Sequence, residues 1–280
     1  MPAEVVAHAR RATGASARAA GKEGTHSTVD LVRFADVSKS FGSIAAVAGV
    51  SFAFGPGTIV GLIGDNGAGK TTTIRLAAGL LQPDSGSVRL CGERADRQSR
   101  SLMVRVGALI EGPGHYDELT VVENLRYFYA FYAAHAAPGT LDRVVADSLR
   151  RFGLEEVSDS AVSGVSSGYR QRLAVARALH PWVDVALLDE PFVNLDPRAK
   201  TQLKGILRDL KAGGKLVLFS SHTLTDVEQL ADDILLLVRG RLHRFRDFGE
   251  IRRLVGESAG GDPDAVYDAL HRVIAAREAR

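Results

Sequence analysis

Residues 58 to 72 read Thr58-Ile59-Val60-Gly61-Leu62-Ile63-Gly64-Asp65-Asn66-Gly67-Ala68-Gly69-Lys70-Thr71-Thr72: an apolar run, a glycine-rich loop and the start of a helical pattern. Thr58 to Ile63 has the length and composition of a buried strand, and Lys70 to Leu81 reads as a helix. The loop between them matches G-x-x-x-x-G-K-[ST] from Gly64 to Thr71. Glycines there let successive backbone N–H groups wrap an anion without a side-chain clash, and Lys70 reaches the terminal phosphates. The Thr71 hydroxyl is placed to ligate Mg²⁺, and the helix that opens there turns its positive end to the phosphates. The stretch therefore predicts an α/β protein with a nucleotide cradle made by Gly64, Asp65, Asn66, Gly67, Ala68, Gly69, Lys70, Thr71 and Thr72.

Two further apolar strands end on polar groups. Val185 to Leu188 runs into Asp189-Glu190, and Lys215 to Ser220 ends just before His222. Ligands of open α/β sheets bind beyond the carboxyl ends of the strands, so three polar clusters in that position predict one shared site. Asp189 fits a second Mg²⁺ anchor and Glu190 a group that polarises an attacking water. Alternation along an extended strand end is expected to point the two carboxylates different ways.

Outward from this centre, Leu31 to Phe34 and Val47 to Phe54 suggest an N-terminal β layer. Val121 to Arg151 reads as a helical insert broken at Pro138-Gly139, and Ser158 to Gly168 is rich in Ser and Gly. Tyr127, Phe128, Tyr129, Phe131 and Tyr132 read chiefly as core, with a partner-binding groove as the alternative. Asp262-Pro263 predicts the N-cap and N1 of a last helix with Val266, Leu270, Val273 and Ile274 on one face. The first 27 or so residues read as a disordered tail; an Arg-rich transit peptide is the other reading, weakened by Glu4 and Glu23.

Composition narrows the class. The 280 residues are 45% hydrophobic and 24% charged, as in ordinary globular domains, and 35 basic against 33 acidic side chains leave +2, with no field that marks a nucleic-acid coat. A single cysteine, Cys91, closes no internal disulfide and points to no oxidising compartment. The apolar stretches Ile44 to Phe54 and Val183 to Leu188 fall short of the roughly 20 residues of a spanning helix, so the chain is not expected to cross a membrane itself.

Val165-Ser166-Ser167-Gly168-Tyr169-Arg170-Gln171-Arg172 looks like the signature commonly written LSGGQ. With the phosphate loop and the strand ending in Asp189-Glu190, it resembles the nucleotide-binding subunits of ATP-binding cassette (ABC) transporters over roughly Leu31 to Arg241. Physically, Ser166 can N-cap the helix that follows. The resemblance implies a P-loop NTPase (RecA-like) core with an N-terminal antiparallel β layer and a helical signature subdomain at about 112–180. Residues 28–240 would be the ATPase domain and 241–280 a C-terminal extension.

The same resemblance assigns roles. Phe41 would stack on adenine, His222 would be the switch histidine, and Ser166 and Gly168 would meet the ATP of the opposite subunit. Leu195-Asp196, in a segment like the D-loop, would lie at that dimer interface. Glu111 stands where most members carry glutamine, and as a carboxylate it is a stronger Mg²⁺ ligand; here the chain resembles the bacitracin-export and lantibiotic-immunity branch, and its signature resembles subunits serving ABC-2-type permeases. The implied protein is an ATPase using ATP and Mg²⁺ at the cytoplasmic face of the cell membrane, powering a separate integral membrane permease that exports a drug, antibiotic peptide or other small amphiphile. A second ATP-binding subunit completes it, a homodimer being the simpler arrangement, and no nucleic acid is implied. The alternatives are a soluble ABC-type ATPase serving a non-transport machine, against which the single cassette and short insert argue, and a P-loop kinase or GTPase, which leaves the signature and His222 without a role and lacks an N-K-x-D segment.

Overall fold

The computed structural model describes residues 30–95, 100–110, 114–133, 137–256 and 263–278. In chain order the elements are β1 (Val32–Phe41), β2 (Ile44–Phe54), β3 (Thr58–Gly64), α1 (Lys70–Ala77), β4 (Ser85–Leu90), β5 (Glu93–Arg94), α2 (Arg100–Arg105), β6 (Val106–Leu109), α3 (Val121–Tyr132), α4 (Thr140–Phe152), α5 (Ser167–Ala178), β7 (Val185–Leu188), α6 (Pro197–Ala212), β8 (Leu216–Ser221), α7 (Leu224–Leu230), β9 (Asp233–Val238), β10 (Arg241–Phe245), α8 (Phe248–Val255) and α9 (Pro263–Glu278).

Two sheets form, ordered β2-β1-β4-β5 and β10-β9-β3-β8-β7-β6. The first is antiparallel; in the second, β6, β7, β8, β3 and β9 run parallel and β10 closes the edge antiparallel. The predicted α/β core with an N-terminal antiparallel layer is thus observed. The inner strands read as continuous apolar runs because both of their faces are covered. Ile59, Ile63, Leu188, Phe219 and Ile234 face the core built with the helical insert and the C-terminal helices. Their alternating neighbours Val60, Leu62, Leu187, Leu218 and Leu235 face the core shared with α1 and the antiparallel layer. Each such buried aliphatic side chain contributes about 1.5–3 kcal/mol of transfer free energy.

The order β3-β8-β7 sets three strand ends side by side, which brings Gly64, Asp189 and His222 to one rim. The helix predicted to Leu81 stops at Ala77, because Gly79 (φ 69°) turns left-handed and any Cβ there would meet the Ala95 carbonyl at 2.0 Å. The insert breaks where predicted, with left-handed Gly139 preceding α4. A capping box at Thr120 and Glu123 starts α3. The border placed at 240 falls within the β9–β10 hairpin, so the main sheet continues to Phe245 and only α8 and α9 lie beyond it. In α9, Val266, Leu270 and Ile274 are buried as the apolar face requires; the proposed cap Asp262 lies outside the described residues, as does the N-terminal tail 1–27. No helix of the described residues is long and apolar enough to cross a membrane.

Candidate functional site

The phosphate loop leaves β3 and closes onto β2. Gly69 has φ 108°, and a Cβ there would lie 2.1 Å from the Ala46 carbonyl, so only glycine lets the loop pass this close to the antiparallel layer. Gly67 (φ 81°) faces open space within 4 Å. Lys70 opens α1, is 7% exposed, and its Nζ donates to the carbonyls of Gly64 (2.6 Å) and Asp65 (3.2 Å). Asp65, Asn66, Gly67, Gly69, Lys70, Thr71, Thr72 and Ala46 share a cleft of 230 Å³ with Asp189 and Glu190. Ala68 turns away from it, buried, with its N–H donated to the Asp65 carbonyl.

Asp189 is held from two sides. The Thr71 hydroxyl donates to its Oδ2 at 2.6 Å and the Ser220 hydroxyl to its Oδ1 at 2.5 Å, while its own N–H donates to the Leu109 carbonyl at the end of β6. Ser220 also accepts from the Glu190 N–H at 2.9 Å, so one buried hydroxyl ties both acidic residues to β8. The carboxylates do not diverge by strand alternation, as their sequence position suggested. β7 ends at Leu188 and Glu190 adopts φ 49°, a left-handed conformation costing on the order of 1–3 kcal/mol outside glycine. The turn swings Glu190 toward His222, whose Nδ1 lies 2.8 Å from Oε2. The site thus contains a continuous chain of contacts, Thr71–Asp189–Ser220–Glu190–His222. Ser220 was not singled out for a role from sequence; its only signal is a hydroxyl closing an apolar strand.

The residues fit a nucleotide with Mg²⁺. A glycine loop opening a helix, with Lys70 at its base, suits phosphate oxygens, and Thr71 with Asp189 offers two hard oxygen donors of the kind Mg²⁺ takes together with phosphates and water. Among the described residues no cluster of three or more His, Cys, Asp or Glu stands elsewhere as a metal cage. Phe41 ends β1 with 48% of its surface exposed, so it is not core. Glu111 lies outside the described residues.

Other predicted residues sit apart from the cleft. Ser166 caps α5, its Oγ accepting from the Tyr169 N–H at 3.5 Å, and Gly168 lies against the Asn194 carbonyl, where a Cβ would approach to 3.2 Å. Neither lines the phosphate cleft of its own chain. Of the pair Leu195-Asp196, Leu195 is buried within its own chain, whereas Asp196, which caps α6 and pairs with Arg172, is exposed together with Val193 and left-handed Asn194 (φ 62°). The aromatic run divides. Tyr129 is fully buried and its hydroxyl donates to the Ala176 carbonyl at 2.7 Å, whereas Tyr127 and Phe131, the latter 62% exposed, pack edge to face on the surface beside Tyr116. Half-buried Arg177 stacks on Phe128 and donates to the Gly114 carbonyl, and desolvation pushes its guanidinium down to about 10.

Comparison with known proteins agrees with this geometry. Residues 47–193 match the ABC transporter family. The chain is 39% identical over 211 residues, 75% of its length and 68% of the relative's, to Nod factor export ATP-binding protein I of Paraburkholderia xenovorans. It is 36% identical over 211 residues, covering 75% of this chain and 84% of the other, to the ABC transporter ATP-binding protein NatA of Bacillus subtilis. A solved ATP-binding subunit of an ABC transporter superposes with TM-score 0.76 at 30% identity, over 86% of this chain and 99% of that one. Fold, motif order and relatives agree, and the chain belongs to the ATP-binding, ATP-hydrolysing subunits of ABC transporters.

Proposed function

We propose that the hydrogen-bonded chain from Thr71 to His222 is the hydrolytic centre of an exporter ATPase. Lys70 and the backbone of Gly64 to Thr72 hold the triphosphate, Phe41 stacks on adenine, and Thr71 and Asp189 hold Mg²⁺, with Glu111 as a further oxygen donor. Mg²⁺ supplies positive charge that offsets the phosphate oxygens. Glu190 takes a proton from the attacking water, and His222 positions Glu190. The observation that carries this reading is the pair of short hydrogen bonds from Thr71 and Ser220 to Asp189, which fixes one carboxylate at the loop and leaves its neighbour, held by His222, for the base role.

Ser166 and Gly168 lie on a helix end away from their own phosphate cleft, which supports a head-to-tail pair of subunits in which each signature reaches the partner's nucleotide. The exposed aromatic face of Tyr116, Tyr127 and Phe131 suits a surface offered to a permease, which supports a seat at the cytoplasmic side of the membrane. Relatives named for export support an outward cargo, a small amphiphile, drug or antibiotic peptide. Purification of the tagged protein from detergent-solubilised membranes of its own host, followed by mass spectrometry, tests this. A stoichiometric polytopic membrane protein is expected, and purely soluble partners alongside intact ATP hydrolysis would contradict export.

A further inference from the structure

The largest opening near the phosphate loop is not the ATP cleft. On the other side of the loop, a cleft of 720 Å³ runs between Asp65 to Gly67, the β9–β10 turn and α9, with Arg239, Arg241, His271 and Arg272 on its walls. Among the described residues Asp65 is its one lining carboxylate, and that group is engaged: Tyr267 Oη donates to Oδ1 at 3.0 Å, and His271 Nδ1 stands 3.7 Å from Oδ2. Burial and this carboxylate both push the Tyr267 phenol up, so the hydroxyl stays a donor.

Several surface arginines sit against carboxylates, as Arg105 does on Asp184, Arg172 on Asp196 and Arg244 on Asp233. Arg239, Arg241 and Arg272 make no ion pair among the described residues. Arg239 also occupies a backbone position that favours glycine or asparagine: with φ 46°, followed by Gly240 at 79°, it is the first central residue of a two-residue hairpin turn between Val238 and Arg241. The turn carries a long cationic side chain at the cleft despite that conformation. Guanidinium groups that line one cleft without an ion pair supply donors suited to phosphate oxygens.

We propose that this cleft is a second anion site, for a ligand bearing phosphoryl groups, distinct from the ATP cradle. Because Asp65 to Gly67 belong to both clefts, a ligand there touches the loop that holds the ATP phosphates, and each ligand would alter the affinity of the other by the same factor. The anion site itself stands on the arginines alone; the coupling rests on the ATP role of the loop.

The test saturates the full chain with Mg²⁺ and the non-hydrolysable analogue AMP-PNP, and first records that binding. Inorganic pyrophosphate is then titrated calorimetrically, and a parallel sample is sedimented with phosphatidylglycerol or phosphatidylcholine vesicles. The variant R239G/R241A/R272A removes the exposed guanidinium groups and suits the turn; R126A/R150A removes two arginines elsewhere. Binding of pyrophosphate or of phosphatidylglycerol vesicles, weakened at least tenfold in the triple variant and unchanged in the control, supports the site. Pyrophosphate binding identifies a soluble phosphorylated ligand, and vesicle binding a lipid headgroup. Absence of binding by both probes, retention of both by the triple variant, or equal loss in the control overturns it. Failure of AMP-PNP to bind counts against the ATP reading instead, and the same titrations of the cleft then proceed without the analogue on Lys70→Ala protein.

Discussion

The Ser220 hydroxyl lies 2.5 Å from Asp189 Oδ1 and at the same time accepts the Glu190 N–H at 2.9 Å. One side chain on β8 therefore sets both the direction of Asp189 and the left-handed turn at Glu190. Replacement by alanine leaves a buried N–H and one carboxylate oxygen without their partner. Ser220→Ala is expected to lower kcat roughly 10- to 100-fold through misplacement of the two acids, with KM for ATP changed far less. Ser220→Thr, which restores the hydroxyl, should recover most of the loss. Steady-state ATPase kinetics of both variants read this, and a loss confined to KM would remove Ser220 from the positioning role.

Tyr129 joins α3 to the signature helix. Its hydroxyl donates to the Ala176 carbonyl on α5 and lies 3.0 Å from Ser148 Oγ on α4, at a fully buried position. Tyr129→Phe keeps the ring and strands a carbonyl, so urea unfolding is expected to show a loss of about 1–2 kcal/mol. An unchanged midpoint would mean that water replaces the hydroxyl.

His180 is fully buried and stacked on Tyr132 at 3.8 Å, and desolvation pushes its imidazole down to about 4. The unfolded chain takes up this proton near pH 6.5 and the folded chain does not, so the contribution is intact above 6.5 and is lost progressively as pH falls toward 4. At pH 5 the loss is about 2 kcal/mol. His115, also pushed down to about 4 by burial, acts in the same direction. Denaturant midpoints at pH 7 and pH 5 should differ for the native chain, and His180→Phe should narrow the difference. A difference that His180→Phe leaves unchanged would place the acid sensitivity elsewhere.

What was legible in the sequence follows from how local the cause is. The phosphate loop is written in its own residues, since the left-handed turn at Gly69 favours glycine even before its approach to the Ala46 carbonyl is considered. The strand ends carrying Asp189 and His222 were equally plain, because apolar runs buried on both faces need no partner to be read. Ser220 was not, as its meaning comes from β7 and β8 lying side by side. The aromatic run holds both of its readings, core at Tyr129 and open surface at Phe131; adjacent aromatic residues carry no single helical period, so only packing against α4 and α5 separates the two. Leu195 fills the core of its own chain while Asp196 beside it is exposed, a division that the motif alone does not carry. The seat of α9 on Asp65 joins residues 202 positions apart and left no mark in either segment.

The central claim, that Glu190 is the base of ATP hydrolysis at this site, is tested by the ATPase rate of Glu190→Gln measured beside its ATP binding. The amide keeps the shape of the side chain and removes its basicity, so turnover should fall at least ~100-fold while ATP binds within a few-fold of the native affinity and the subunits remain paired around it. Undiminished turnover in Glu190→Gln would contradict the account and move the base role to another group of the Thr71-to-His222 chain.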